Sequence, residues 1–401
     1  MLTLQQLEHA SVHAAAFRRR RRLQPAGGPG DKIFPPTYPG NGQNAPPRHV
    51  FELRRINGAD VPCVLVDSVQ SQANRLEEAL LCAAKAGRIA LPRIVVDFPS
   101  SGLNAVPEIS SLEAPHRIFD AILRDSNVDG VPFRESPLGL RLREAKAQDA
   151  TAILEASPTA LLFGAWNSTG EGGGVGAKFA RVIVSEIVGV GAAVERENGE
   201  MVSAGRRTGS RIDPLGILKS VEVYKGEVDW DISNKTLKGA KKVRPSEINH
   251  GNIVPSVQKL GITCDYAEQI AVITLAGVRR LSFGADPARN LAGRVYIAAL
   301  GLLALTEADA QGYALRSRCD LVAEGDAPLQ LIHTGGEAEK IELNWDEAIA
   351  LYNAAFKAAG EAGFNLNGEP VILRPQNKLV HIVRESQKKA LQDEGGPDEA
   401  G

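Results

Sequence analysis

The chain has 401 residues, and its 46 Lys and Arg residues nearly balance its 48 Asp and Glu residues, which gives a net charge of −2. This balance excludes a protein that coats nucleic acid with its whole surface, although it is compatible with a local basic stripe. The chain is 43% hydrophobic and 23% charged, which is typical of a globular protein. No run approaches the ~18 consecutive apolar residues of a membrane helix, so no membrane contact is predicted.

The four cysteines are scattered without a C-x-x-C pair, so they indicate neither a disulfide framework nor a zinc site. The sequence also lacks an H-E-x-x-H motif and clustered metal-binding carboxylates. A reduced, cytoplasmic location is therefore predicted, with no metal and no cofactor.

The first segment has apolar residues at helical spacing, which predicts an N-terminal helix. The same helix is expected to carry Arg18–Arg22, so the five arginines would point around its whole circumference, and at most two or three could meet one ligand. A solvated charged turn is the alternative to a polyanion contact. The apolar positions are Leu4, Leu7, Ala10, Ala14 and Phe17.

A Pro- and Gly-rich stretch over residues 23–47 predicts an ordered surface loop. Two strands then follow, over 49–56 and 61–68, around an Asn57-Gly58 turn. Residues 68–87 predict a helix that ends at Gly87. Its first turns carry polar side chains that could meet phosphates beside free backbone amides, and a plain solvated face is the alternative. These side chains are Gln70, Gln72, Asn74 and Arg75.

The middle of the chain, from about residue 99 to 255, is irregular and resembles an insertion. It contains a predicted helix over 114–126, a glycine-rich segment, and a hairpin that turns at Lys225-Gly226. A polar turn near its end carries Asn249, His250 and Asn252.

The glycine-rich segment at 170–178 fails as a phosphate-binding P-loop. Gly172 and Lys178 fit G-x-x-x-x-G-K-[ST], but Ala177 and Phe179 occupy the other two fixed positions. The residues after it are rich in β-branched and aromatic side chains, which favours a glycine-rich turn between two strands over a mononucleotide site. A nucleotide-dependent enzyme that uses this loop is kept as an alternative.

The C-terminal part predicts the order β-α-β-β-α-β, which is the ferredoxin-like order shared by RNA-recognition folds. The aromatic RNP1 pattern that stacks bases is absent, so a protein that binds RNA with this sheet should hold the backbone rather than read bases. The predicted elements cover 269–283, 291–310, 314–324, 328–335, 345–363 and 370–383.

Five strings together resemble the backbone subunit of the type I-G (formerly I-U) CRISPR Cascade, a member of the RAMP superfamily. They are FPPTYPG (34–40), LVDSVQSQANRLEEAL (65–80), PHRIFDAILRDS (115–126), LLFGAWNSTGEGGGVGAKFAR (161–181) and INHGNIVPS (248–256). The resemblance extends to about Arg384. It implies an α+β fold with a ferredoxin-like, RRM-like palm and large finger and thumb insertions.

The resemblance also implies a non-enzymatic subunit. Copies would polymerise head to tail along a CRISPR guide RNA, contact other Cascade subunits and present the guide to target DNA. An RNA endonuclease is a further alternative, because some related type III backbone subunits cut paired RNA with an aspartate, but no aspartate here lies in a matching motif.

On this interpretation the chain divides into four parts. Residues 1–98 hold the N-terminal helix, the Pro/Gly loop and palm elements; 99–266 form the inserted finger- and thumb-like region; 267–385 hold ferredoxin-like palm elements; and 386–401 form a disordered tail. The residues predicted to contact RNA are Lys32, Gln70, Gln72, Asn74, Arg75, Asn167, Ser168, Lys178, Arg181, Asn249, His250 and Asn252.

Overall fold

The computed structural model describes residues 2–40, 45–167, 178–226, 229–233, 237 and 239–393. The fold mixes α and β structure, as predicted. Its helices are α1 (Leu4–His13), α2 (Val69–Lys85), α3 (Ala121–Arg124), α4 (Pro137–Glu144), α5 (Thr151–Ala156), α6 (Thr159–Phe163), α7 (Leu275–Val278), α8 (Pro287–Gln311), α9 (Trp345–Glu361) and α10 (Asn377–Asp393).

The strands are short outside one large sheet. They are β1 (Ala14–Pro25), β2 (Phe51–Ile56), β3 (Ala59–Asp67), β4 (Ile94–Val96), β5 (Ile109–Ser110), β6 (Ser126–Val128), β7 (Val131–Pro132), β8 (Ala165–Trp166), β9 (Lys178–Phe179), β10 (Ile183–Val190), β11 (Val194–Glu197), β12 (Glu200–Ser203), β13 (Arg207–Arg211), β14 (Val223–Lys225), β15 (Trp230–Asp231), β16 (Lys241–Val243), β17 (Ile253–Gln258), β18 (Tyr266–Thr274), β19 (Tyr313–Arg316), β20 (Cys319–Ala323), β21 (Leu329–His333), β22 (Ala338–Ile341) and β23 (Val371–Pro375).

In the described residues, nine strands form the main sheet, with the order β19-β20-β1-β18-β10-β3-β2. Strand β21 also pairs with β1, and β22 pairs with β21. All pairings in this sheet are antiparallel. The predicted Asn57-Gly58 turn joins β2 to β3, and both residues have positive φ, 50° and 81°. A hairpin turn of this kind suits the right-handed twist of the strands it joins.

The arginine run lies on a strand, so the prediction of one helix that carries it is wrong. Helix α1 ends at His13, and Arg18–Arg22 belong to β1. Because side chains alternate along a strand, Arg19 and Arg21 reach Asp309 of α8 while Arg20 pairs with Glu268 on the other face. Pairing with β18 and β21 on its two sides decides the conformation of this segment.

Helices α1, α2, α8 and α9 pack with one face of the main sheet into the principal apolar core. Helix α8 is long and apolar enough by composition to cross a membrane, but 78% of its most apolar window is buried inside the fold. Two fully buried tyrosines join α8 to α9, with 3.1 Å between the hydroxyl oxygens of Tyr296 and Tyr352. The Tyr352 hydroxyl also donates to the Ala90 carbonyl at 2.6 Å. These features are those of a core helix in a globular fold.

The last predicted strand is not part of the main sheet. Strand β23 pairs with β4 in parallel and with β6, inside a five-stranded sheet of the described residues with the order β5-β4-β23-β6-β7. The chain leaves this sheet after Pro375, which has no amide hydrogen for a ladder, and continues as α10. The predicted C-terminal β-α-β-β-α-β succession therefore does not form a single sheet.

Three other predicted elements are shorter or divided. The helix expected over 114–126 is a 3-10 turn at Arg117–Phe119 followed by α3, because Arg117 has φ 53° and cannot continue a helix. The strand expected over 314–324 is the hairpin β19–β20, which turns at Arg318 with φ 58°. The strand expected over 269–283 ends at Thr274, where the Thr274 hydroxyl caps α7.

Residues 191–265 form an insertion between the neighbouring strands β10 and β18. Its described residues contain the pairs β11-β12 and β13-β17 and the three-stranded sheet β15-β14-β16. The predicted hairpin at Lys225-Gly226 is confirmed, since Tyr224 pairs with Asp231 and Lys225 with Trp230. Strands β13 and β17 are exposed along their whole length.

Candidate nucleic-acid interface

The two ends of the glycine-rich segment are held together as a short antiparallel ladder. In it Trp166 of β8 pairs with Lys178 of β9. The Lys178 ammonium lies 5.6 Å from the centre of the Trp166 ring, and this indole is 52% exposed. Residues 168–177, including Ser168 and nearly all of the glycine-rich prediction, lie outside the described residues. An exposed aromatic ring and a cation therefore mark the base of this segment.

A buried ion pair lies beneath that base. The Arg117 guanidinium donates two hydrogen bonds of 2.7 Å to the Glu77 carboxylate and a third of 2.9 Å to the Gly164 carbonyl. Glu77 lies on α2 with its side chain only 2% exposed. Burial raises the pKa of Glu77, and the neighbouring Arg117 acts in the opposite direction. The pair fixes the 3-10 turn of Arg117 against α2 and against the entry to β8.

Arg181 adds a second guanidinium to this cluster. Within the described residues it donates only to backbone carbonyls, those of Phe163 at 3.1 Å and Val69 at 3.3 Å. Burial and the repulsion of Arg117 lower the pKa of Arg181, although Glu77 opposes this shift. Glu77 pairs with Arg117 and acts on Arg181 only through its charge, so the cluster of these three described side chains carries a surplus positive charge.

Gly164 is required where these groups meet. Its φ is 83°, and a Cβ there would lie 3.0 Å from the Arg181 nitrogen and 3.1 Å from the Phe179 oxygen. A side chain would therefore be strained in conformation and crowded by backbone. The close approach of strand β8 to Arg181 depends on this glycine.

The start of α2 is brought to the same place, because Arg181 binds the carbonyl of its first residue, Val69. The Ser68 hydroxyl caps the helix by accepting from the Ser71 amide at 3.2 Å. Gln70 and Asn74 are exposed. The structure thus brings Gln70 close to the region of Lys178 and Arg181. In sequence Gln70 lies 108 residues before Lys178 and 111 residues before Arg181.

Gln72 does not lie on the solvated start of the helix, where sequence reasoning placed it. It is 3% exposed, and its amide nitrogen donates to Asp67 at 2.7 Å. Its amide oxygen accepts from Ser185 at 2.8 Å and from Gln269 at 2.9 Å. Gln72 therefore ties α2 to strands β3, β10 and β18 inside the protein.

Arg75 is also engaged internally. Its Nε donates to the fully buried Asp67 carboxylate at 2.9 Å, and its Nη2 donates to the Leu315 carbonyl at 2.6 Å. Arg316 supplies the second guanidinium on Asp67, also at 2.9 Å. A buried carboxylate needs such partners, because unpaired burial of a charge is costly.

We expect Arg75→Ala to lower the free energy of unfolding by about 1 to 3 kcal/mol, because it removes one of two guanidinium partners from a buried carboxylate. Asn74→Ala, one residue earlier on the exposed side of α2, is the matched control and should change the stability by less than about 0.5 kcal/mol. Urea denaturation of both variants measures the difference. If the two variants were equally stable, Arg316, Gln72 and Ser71 would be sufficient partners for the buried Asp67 carboxylate.

The three predicted residues of the insertion form a separate cluster. Asn249 has a left-handed backbone with φ 60°, and its carbonyl accepts from Arg211 at 3.0 Å. The His250 ring lies 5.7 Å from the Trp230 ring, edge to face. The Asn252 side-chain oxygen accepts from the Asp213 amide at 2.6 Å. These contacts shape the polar turn that precedes β17.

Lys32 joins the Pro/Gly loop to the insertion. Its ammonium donates to the Arg206 carbonyl at 2.6 Å and lies 5.6 Å from the centre of the Phe34 ring. The RNA contacts predicted for Lys32 and for the insertion remain predictions.

Asn167 lines a cavity of about 330 Å³ at the foot of β8. The cavity wall also includes the 3-10 turn that carries Arg117, through Ile118 and Phe119. In the part of the chain that the structure describes, no three His, Cys, Asp or Glu side chains gather in an arrangement that could hold a metal ion.

Sequence reasoning missed Trp166, Arg117 and Glu77. Trp166 carries a usable signal, since an aromatic residue four positions before the glycine-rich segment 170–178 and the lysine that ends this segment can meet across a hairpin. Glu77 and Arg117 carry no such signal, because 40 residues separate them in sequence.

Residues 17–194 match the model of a family described as CRISPR-associated protein GSU0053 (Cas_GSU0053). The match begins in β1, includes α2 and both ends of the glycine-rich segment, and stops at the start of β11. No curated protein matches the chain. The similarity indicates a CRISPR-associated protein family over this part of the chain.

Proposed function

We propose, starting from the match to a CRISPR-associated family, that this protein is the guide-RNA-binding backbone subunit of a type I-G Cascade, in the RAMP superfamily. It binds the guide without cutting it, and the guide pairs with target DNA. The observation that carries the proposal is the assembly at the base of the glycine-rich segment. The start of α2, the Lys178–Trp166 pair and the surplus cation of the Arg117–Glu77–Arg181 cluster meet there.

The order of the central strands supports an RNA-recognition palm. Across the sheet, β21 and β20 lie beside β1, followed by β18 and then β10. When only these central strands are numbered in chain order, leaving out β2 and β3 at the sheet edge, β1 is the first, β10 the second, β18 the third and β20 or β21 the fourth. Their spatial order is then 4-1-3-2, as in a ferredoxin-like sheet. Helix α2 lies in the first crossover and α8 in the second, and both pack on the same face.

The chemistry of the base suits a sugar-phosphate backbone. Free amides at the start of a helix and a partly buried surplus cation attract phosphates without reading bases. The exposed Trp166 ring offers a face on which any base can stack. Glycines let a chain approach the RNA closely.

The nucleotide-enzyme alternative is less well supported. In a P-loop the lysine begins a helix whose amides hold the phosphates. Here Lys178 begins strand β9, and the next described element is strand β10.

Head-to-tail assembly is part of the proposal. Several large apolar side chains of the insertion are exposed in the single chain, including Ile212 at 84%, Ile232 at 74% and Leu215 at 71%. We infer that these side chains belong to a contact surface that a neighbouring copy or another Cascade subunit covers.

We expect Lys178→Glu to weaken the binding of RNAs of any sequence to a similar degree and to flatten the dependence of affinity on salt concentration. The reason is that a phosphate contact releases counterions without reading bases. Fluorescence anisotropy with several labelled RNAs at a series of salt concentrations measures both effects. Lys357→Glu, at a 79% exposed lysine on α9, is the matched control for the change in charge.

We expect Lys178→Glu to lower the RNA affinity and Lys357→Glu to leave it unchanged. An affinity that falls equally in Lys178→Glu and Lys357→Glu would indicate a nonspecific charge effect. An effect restricted to one RNA sequence would indicate base readout at Lys178 and contradict a backbone clamp.

A further inference from the structure

His49 is a buried histidine two residues before β2, and it is not among the residues proposed to contact RNA. It is only 3% exposed, and both of its ring nitrogens meet backbone groups. Nδ1 lies 3.1 Å from the Pro36 carbonyl oxygen, and Nε2 lies 2.9 Å from the Gly261 amide nitrogen. One imidazole therefore joins the Pro/Gly loop to the returning segment of the insertion, residues 259–265.

The contact with Gly261 determines the charge state of the ring. A backbone amide can only donate, so Nε2 accepts its hydrogen and carries none of its own. The single hydrogen of the neutral imidazole then lies on Nδ1, which donates to the Pro36 carbonyl. A protonated ring carries a hydrogen on both nitrogens, so two donors would face each other at Gly261 and the contact would be lost.

Gly261 lies at a crowded point of the returning segment. Its φ is 80°, and a Cβ there would lie 2.8 Å from Cζ of Phe34 and 2.9 Å from Cδ of Lys32, both in the Pro/Gly loop. The next residue, Ile262, exchanges two backbone hydrogen bonds with Ile33 of the same loop, at 2.8 and 3.0 Å. Because the Gly261 amide is buried here, losing its acceptor is costly.

The surroundings of His49 favour the neutral ring. Burial lowers the pKa of His49, the hydrogen bond to Pro36 raises it, and the repulsion of Arg316 on β19 lowers it, with a net shift below the ordinary value. Other charged side chains on the neighbouring segments are engaged elsewhere. They are Asp31 with the Lys32 amide, Lys32 with the Arg206 carbonyl, Arg48 with Glu200, Arg318 over the Phe34 ring, and Lys259 with Glu195 and Glu197.

We propose that His49 is a positioning residue for the insertion and makes its attachment to the Pro/Gly loop sensitive to pH. The neutral ring holds the returning segment, and protonation releases it. Because the pKa is lowered in the attached form, the attachment is complete above a pH of about 6.5, the ordinary histidine pKa, and weakens as the pH falls below it.

The release would also affect assembly. The insertion carries Ile212 and Leu215, two of the exposed side chains that meet a neighbouring copy in the proposed assembly. A released insertion no longer holds them in one orientation, so assembly on long RNA should weaken at pH 5.5. This consequence rests on the proposed function, whereas the attachment by His49 does not.

Hydrogen exchange of the RNA-free chain measures the attachment. Mass spectrometry follows peptides of the returning segment at pH 7.5 and 5.5, with each rate corrected for the intrinsic exchange rate at that pH. At pH 5.5 a released imidazole of ordinary pKa is about tenfold more protonated than neutral, so protection should fall by up to about tenfold. Helix α8 should keep its protection, which separates local release from global unfolding.

His49→Gln removes the titration. Its amide oxygen can accept from the Gly261 amide without binding a proton, so the returning segment should be equally protected at both pH values. His381→Gln, at an exposed histidine on α10, is the matched control and should keep the pH dependence of the wild-type chain.

Nitrogen-15 NMR of the wild-type chain determines the state of the ring and needs no variant, so the test holds even if His49→Gln does not fold. We expect a hydrogen on Nδ1 alone at pH 7.5. A hydrogen on Nε2 at that pH would overturn the proposal. Protection that is the same at both pH values in the wild-type chain, or that falls equally in His49→Gln, would overturn it as well.

Light scattering on long RNA at pH 5.5 tests the consequence for assembly. The wild-type chain should give a lower mass than His49→Gln. Equal masses would overturn this consequence, and a wild-type chain that binds no RNA at pH 7.5 would overturn the proposed function. The exchange result decides the role of His49 in both cases, because it is measured without RNA.

Discussion

Replacing Glu77 with alanine is expected to lower the free energy of unfolding by about 3 to 5 kcal/mol, the loss typical of breaking a buried ion pair from one side. Arg117 would remain buried at 12% side-chain exposure without its bidentate partner, and Arg181 would lose the carboxylate that offsets its charge. Arg117 would also keep its unfavourable φ of 53° without the contact that holds it there. Chemical denaturation monitored by circular dichroism measures the change.

Glu78→Ala is the matched control for this prediction. Glu78 is the next residue on α2 and it is exposed. Its replacement by alanine should change the free energy of unfolding by less than about 0.5 kcal/mol. A loss below about 1 kcal/mol in Glu77→Ala would mean that water or a shift of the 3-10 turn solvates Arg117 at little cost. The cluster would then be no rigid support for the glycine-rich segment.

The second large effect concerns assembly. On RNAs of increasing length, the mass of the complex is expected to rise in equal steps of one chain per added segment of RNA. A contact repeated head to tail between copies does not close unless its rotation makes a ring, so the RNA sets the length. Each new copy gains a protein neighbour and a stretch of RNA already held nearby, which makes binding cooperative through effective concentration. Multi-angle light scattering measures the mass directly.

A charged substitution on the insertion tests whether its exposed apolar surface makes the contact between copies. Ile212→Glu changes the most exposed of these side chains and should leave single copies on long RNA, while Val12→Glu, on α1 and 45% exposed, should assemble normally. A fixed dimer or a closed ring on every RNA length would contradict the Cascade proposal even if RNA binding were observed.

Local chemistry in the sequence determined several elements correctly. The Asn57-Gly58 pair specifies a hairpin turn because both residues tolerate positive φ. Helix α2 follows from apolar residues at helical spacing, and Ala73, Leu76 and Leu80 are indeed buried. These signals depend on residues close together in the chain, so no knowledge of the fold was needed to interpret them.

The resemblance in sequence led to a CRISPR-associated family, and the match over residues 17–194 agrees at that level. It also directed attention to the glycine-rich segment and to the start of α2. The structure places the ends of the glycine-rich segment beside the start of α2, where Arg181 donates a hydrogen bond to the Val69 carbonyl.

Other features were decided only by the tertiary structure. Residues 14–25 carry apolar groups compatible with a helix, but β18 and β21 offer backbone partners on both sides and make this segment a strand. Gln72 looked like a surface residue because it stands among polar residues in the first turns of the helix, yet Asp67, Ser185 and Gln269 satisfy its amide in the interior. Strand pairing and buried hydrogen bonds join residues far apart in sequence, and a pattern of neighbouring residues contains no information about which distant partner will complete them.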